Sequence, residues 1–305
     1  MAALPWLWIP ITIFSAFVQN IRSAAQKYLT SELSTISVTM VRFLFGLPFG
    51  LLYVWFLHAR TAQPFPEIGS SFLALTATAG AAQIAGTALL VYLFSLRNFA
   101  VGTAYARTEA FLTAILGALF FGEAVIIYGW GAILISVIGV VLITIAKTDL
   151  KGGQLIRLFR DKSAWIGVIS GLSFAVASLS MRKASLILGI DDFLYRAGLT
   201  MIFMLTMQTV VLCAYVAFTN PRQYLVVYKN WKVCLLVGIT SVLGTIGWAT
   251  AFTLEQAAYV KALAQVEFVF TLAASYWFFK ENSTPKELCG IALVILGIIL
   301  LVAFG

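Results

Sequence analysis

Residues that hold metals or cycle thiols are almost missing from this chain of 305 residues. Histidine occurs once, at His58, and the three cysteines, Cys213, Cys234 and Cys289, stand apart from one another. Without a CxxC pair or a histidine partner, neither a zinc site nor a thiol redox motif is supported. Single cysteines among apolar neighbours read as packing residues. Charge is equally scarce: 10% of residues carry it, against roughly a quarter in an ordinary soluble domain. Asp149, Asp161, Asp191 and Asp192 all fall in or beside polar breaks. Intramembrane catalysis would need paired aspartates, a Ser with His, or a metal set inside an apolar segment. Neither an enzyme nor a cofactor is therefore expected. Strand-like alternation is absent too, which leaves no basis for a membrane barrel.

What is abundant is apolar length. Hydrophobic residues make up 61% of the chain, and the mean hydropathy is +0.98. Apolar stretches lie near 5 to 28, 35 to 58, 69 to 95, 100 to 121 and 124 to 146, and again near 163 to 186, 191 to 218, 231 to 254, 257 to 279 and 285 to 304. A run of about 20 residues crosses a hydrocarbon layer of roughly 30 Å as a helix. Only helices satisfy their own backbone groups there without closing a barrel. The expected fold is an all-α membrane protein of about ten transmembrane helices, placed as a multi-pass protein in a cell's inner (plasma) membrane. Met1 to Trp8 lacks the basic region of a secretory signal, so the first stretch reads as a retained helix. The net charge of +8 suits an anionic lipid surface, and no nucleic-acid partner is expected.

The longest polar stretch, 147–162, divides the chain into 1–146 and 163–305. Shifted by 158 positions, Glu109 meets Glu267, Thr113 meets Thr271, Phe120 and Phe121 meet Phe278 and Phe279, Glu123 meets Glu281, and Gly139 meets Gly297. Apolar helices align by chance through Leu and Ala, but not through two glutamates in register, so the halves are a duplication. Five spans per unit put the copies in opposite orientations. Two inverted five-helix repeats are the architecture of alternating access, with substrate near the midplane.

Gly122-Glu123 and Lys280-Glu281, each behind a double Phe and ahead of a helix with an inner glycine, resemble the ends of the fourth and ninth helices of the EamA-type drug/metabolite transporter superfamily. Arg42 and Arg196 lie early in the second and seventh helices, where that family often has arginine. The resemblance covers essentially the whole chain and implies a secondary carrier, commonly an exporter. The chain departs from the family in having Ala110 and Phe268 where members frequently place proline.

A lone charge at the bilayer centre costs at least about 2.5 to 3.5 kcal/mol, so intramembrane charges persist only with partners or water. Glu109 and Glu267, at equivalent depths, are the first candidates for binding a substrate amine or a coupling proton. Tyr105 lies one turn from Glu109 and shares its face; Lys261 and Gln265 are related the same way. Arg107, two residues before Glu109, faces another way. Lys261 stands near a helix end, where a lysine can also snorkel to the surface. Gln19, Asn20 and Arg22 form a polar cluster in the first helix. Arg42 and Arg196 fit structural charges, and Trp248 fits packing. Positive charges outnumber the glutamates, which favours a small substrate with a carboxylate, best an amino acid or related compound. A multidrug or cation exporter ranks second, and a channel or structural membrane partner is the reading from another class. Basic residues crowd the loops after odd-numbered helices, with Lys151, Arg157, Arg160, Lys229 and Lys280 among them. The positive-inside rule puts those loops in the cytoplasm, whereas family resemblance implies the reverse.

Overall fold

The computed structural model describes residues 4–61, 65–96, 108–123, 125–147, 162–267, 270 and 284–304, and among these there are helices and no strands. The helices are α1 Trp8–Leu29, α2 Thr35–Leu44, α3 Leu47–Thr61, α4 Ser70–Leu96, α5 Glu109–Leu116, α6 Ile127–Lys147, α7 Lys162–Ile187, α8 Phe193–Thr219, α9 Gln223–Lys229, α10 Trp231–Leu254, α11 Ala257–Leu263 and α12 Pro285–Phe304. Each of the ten expected stretches contains described helix. Among the described residues, five helical segments are long and apolar enough to cross a membrane: Thr35–Thr61, Ser70–Leu96, Trp165–Ile187, Phe193–Thr219 and Trp231–Leu254.

Two local features depart from the expected layout. The second stretch breaks between α2 and α3 because Pro48 has no N–H to offer the carbonyl of Leu44. A short extra helix, α9, fills the corner between Asn220 and Asn230. Helix starts follow their caps: the Ser34 hydroxyl accepts from the Ser37 N–H at 3.3 Å, and the Asp192 carboxylate accepts from the Tyr195 N–H at 2.9 Å.

The surface is inverted relative to a soluble protein. Phe218 is 89% exposed and Ile127 77%, whereas Arg22 and Arg42 are buried. Apolar outside and polar inside is the arrangement a bilayer selects.

Helices pack mainly across the two halves: α1 on α10, α4 on α7, α3 on α8, α5 on α11 and α6 on α12. Exchanging the halves turns the first pair into the second and leaves the other three unchanged. The α6–α12 contact shows the same exchange at atomic level. A Cβ on Gly139 would lie 2.6 Å from the Gly290 carbonyl oxygen and 2.8 Å from the Val294 nitrogen. A Cβ on Gly297 would lie 2.7 Å from the Ala132 carbonyl oxygen and 2.1 Å from Ser136 Oγ. Residues 132, 136 and 139 correspond to 290, 294 and 297 under the 158-residue shift. The contact is therefore reciprocal, as an isologous interface requires, and the backbones approach through small residues.

Candidate functional site

Helix α10 ends at Leu254, Glu255 and Gln256 are not helical, and the chain re-enters a helix at Ala257. After about two turns α11 tightens into a 3-10 turn, Ala264–Val266. This short element places Lys261, Gln265 and Glu267 in the interior, and it packs against α5, which begins at Glu109.

Lys261 Nζ lies 3.5 Å from Glu109 Oε2, and both side chains are 8% exposed. The ammonium also sits over two aromatic faces, 4.9 Å from the Trp248 ring and 5.3 Å from the Phe252 ring. Those rings lie 5.8 Å apart and nearly parallel. A cation over ring faces gains from their quadrupoles, the more so when desolvated. Lys261 thus turns inward to a carboxylate and an aromatic pair, and the snorkelling alternative is corrected: a buried carboxylate offers the ammonium a better partner than the route to the surface.

Glu267 has different company. Its Oε2 accepts from Gln19 Nε2 at 3.5 Å, and Gln19 Oε1 accepts from Trp248 Nε1 at 3.1 Å. Trp248 is therefore a shared wall, with its face toward Lys261 and its N–H toward α1; the sequence alone assigned it to packing. The Gln265 side chain is 1% exposed, and neither its nitrogen nor its oxygen has a hydrogen-bond partner among the described residues. A buried primary amide without partners is costly and suits a site that exchanges ligands.

The first-helix polar cluster divides. Gln19 reaches α10 and the Glu267 carboxylate, and Asn20 is half-buried. Arg22, 2% exposed, acts electrostatically on Arg42. Arg42 donates from Nη1 to Thr87 Oγ1 at 2.6 Å. Its counterpart Arg196 is half-buried and donates to the Ile190 carbonyl at 3.5 Å. The two arginines thus occupy unlike settings, Arg42 inside the bundle and Arg196 beside a corner. Arg107 and Tyr105 lie outside the described residues, as does Glu281.

One cluster escaped sequence reasoning. The α5 chain widens into a π turn, Gly117–Phe121, that ends on Gly122 with φ +71°. This left-handed geometry is cheap only for glycine, and it sends Glu123 toward the second half. Glu123 Oε1 lies 2.9 Å from Arg182 Nε, and Glu123 Oε2 accepts from the Ala257 N–H at 3.1 Å. Arg182 Nη1 donates to the carbonyls of Phe252 and Glu255 at the end of α10. Burial pushes the Glu123 carboxyl above its ordinary range, and the adjacent Arg182 charge opposes that rise. The Gly-Glu pair at a helix end was the available signal; its partner, an arginine late in the sixth stretch, carried none.

The sequence pattern of the EamA-like transporter family matches this chain twice, over residues 6–145 and 162–303. The chain belongs to the EamA-like transporter family. It is accordingly a multi-pass membrane transporter with a small-molecule substrate, built from two copies of the family unit. Its fold is similar to that of a solved crystal structure at 12% identity, with a TM-score of 0.69 over 97% of this chain and 99% of the other. No curated protein gives a match.

The two glutamates of this EamA-like chain are equivalent in sequence and unequal in setting, so their amide variants are expected to differ. Glu109→Gln removes one side of a buried ion pair, whereas Glu267→Gln preserves an acceptor for Gln19. Transport across a pH series should be impaired at least tenfold more by the first. Equal, wild-type-like profiles for both would remove the glutamates from the mechanism.

Proposed function

We propose that this chain is a secondary transporter that spans a plasma membrane ten times as two inverted repeats, 1–146 and 163–305, joined by the polar segment 147–162. It exports a small carboxylate-bearing metabolite, best an amino acid or a related compound, by alternating access. The observation that carries this reading is the buried Lys261–Glu109 pair against Trp248 and Phe252, with the Gln265 amide, unpartnered among the described residues, one turn away. A substrate carboxylate takes the Lys261 ammonium in place of Glu109. Glu109 or Glu267 then receives the substrate's ammonium. Such an exchange keeps every buried charge compensated, which a desolvated site demands. Protonation of either glutamate would supply the coupling.

A cation or multidrug exporter is the second reading, favoured by the same aromatic faces and the two carboxylates. A thermal-shift screen of the purified protein separates the two. An amino acid at one hundred times its Kd raises stability by about 2.7 kcal/mol, and its carboxamide gives a smaller shift. A charge-assisted hydrogen bond is worth about 1.5–3 kcal/mol, so Lys261→Gln should weaken the carboxylate ligand ten- to hundredfold and spare the amide. Equal losses for both analogues, or stabilisation by lipophilic cations alone, would overturn the assignment. Saturable, gradient-driven flux in proteoliposomes distinguishes a carrier from a channel.

The charge bias of the loops places the corners after odd-numbered stretches in the cytoplasm. Glu32 and Asp191 are exposed in corners at opposite ends of the bundle. In a background lacking the native cysteines, Asp191→Cys should react with an impermeant thiol reagent on intact cells, and Glu32→Cys should not. The reverse labelling pattern would invert the orientation.

A further inference from the structure

Among the described residues, charged pairs join the two halves at one end of the bundle. At the end carrying corners 122–126, 188–192 and 255–256, Arg60 meets Asp192 at 3.1 Å and Glu123 meets Arg182 at 2.9 Å. Arg60 and Glu123 belong to the first half; Asp192 and Arg182 belong to the second. At the other end, a described hydrogen bond between the halves is the exposed contact of the Ser34 N–H with Gln223 Oε1 at 2.9 Å. Charge draws the halves together at the 122–126 end.

We propose that Glu123 and Arg182 form an ionic latch that closes the 122–126 end of the transport cavity and must break once in each transport cycle. Three features support this role. First, the pair is only 11% and 16% exposed, so it lies inside the seam between the halves and not on the lipid face. Second, each partner also caps a helix end at the α10–α11 corner. Glu123 accepts from the first N–H of α11, and Arg182 donates to carbonyls that α10 leaves without intrahelical donors. Separating the pair therefore loosens the short non-helical link 255–256 as well. Third, the link adjoins the candidate site. Ala257 stands one turn, about 6 Å, from Lys261, and Phe252, whose carbonyl Arg182 holds, lays its ring beside the Lys261 ammonium. Opening the latch thus frees the corner that seats Lys261. Glu123 and Arg182 are positioning residues in this scheme, since neither adjoins the proposed substrate position.

The latch rests on the alternating-access reading, and its test needs no substrate. The reporter is Gln265→Cys, at a buried position, in full-length protein with Cys213, Cys234 and Cys289 replaced by serine. Labelling by a sulfonated methanethiosulfonate is timed from each membrane face in vesicles of defined orientation. With the latch intact, labelling from the 122–126 face is slow. Glu123→Gln keeps an acceptor for the Ala257 N–H and removes only the charge, and it should accelerate labelling from that face at least tenfold without a matching rise from the other. Arg182→Gln breaks the pair from the opposite side and should do the same. The exchange of Glu123→Arg with Arg182→Glu should slow labelling again relative to either single variant. An unchanged rate in both neutralised variants, or an equal rise from both faces, would overturn the latch and leave a merely structural pair. Absence of saturable flux in the parent protein would instead remove the carrier reading, whatever the labelling shows.

Discussion

Lys261→Gln is expected to abolish transport and to lower stability by roughly 3 to 5 kcal/mol, the usual cost of removing one member of a buried ion pair. The loss arises because the Glu109 carboxylate stays in a setting only 8% exposed once the ammonium has gone. The two effects separate in a double variant. Lys261→Gln with Glu109→Gln removes both charges, so thermal unfolding in detergent should recover most of the lost stability while transport stays absent. If the double variant melts no higher than Lys261→Gln alone, the 3.5 Å contact contributes nothing specific. If it transports normally, neither charge belongs to the cycle.

Gly139→Ala and Gly297→Ala should each destabilise the bundle beyond the usual 1 to 3 kcal/mol of an overpacked site. The new methyl at position 139 would stand 2.6 Å from a carbonyl oxygen and 2.8 Å from a backbone nitrogen. Backbone atoms cannot rotate away as a long side chain can, so α6 and α12 must move apart along their whole shared face. Each single variant is expected to melt well below the parent. Because the sites lie in one reciprocal contact, the double variant should lose less than the sum of the singles. A single variant with a parental melting temperature would mean that the helices do not approach this closely.

Glu109 and Glu267 show how far sequence reasoning reached. Their equivalence under the 158-residue shift, and their cost inside apolar segments, marked both as functional candidates, and both are buried. Nothing in their local sequence said that Glu109 would face Lys261 or that Glu267 would face Gln19, a residue 248 positions away. Glu123 illustrates the opposite limit: its place in a Gly-Glu motif was visible, yet its role depended on Arg182 arriving from another helix. Trp248 read as packing because an aromatic on an apolar helix usually is; only its N–H contact with Gln19 and its face against Lys261 distinguish it.

The sequence by itself determined the class of solvent, the helical nature of the chain and the existence of a duplicated unit. Those properties follow from run length, from the backbone's need for internal hydrogen bonds in lipid, and from residues repeating at a fixed shift. It also named the charges that need explaining, since each intramembrane charge carries its cost wherever the chain goes. Tertiary structure alone decided which charges meet. The pairs α5 with α11, α1 with α10 and α6 with α12 are set by long-range packing, the last of them through the close contacts of Gly139 and Gly297. A helix's own periodicity records which face is buried, and it does not record which neighbour lies against that face.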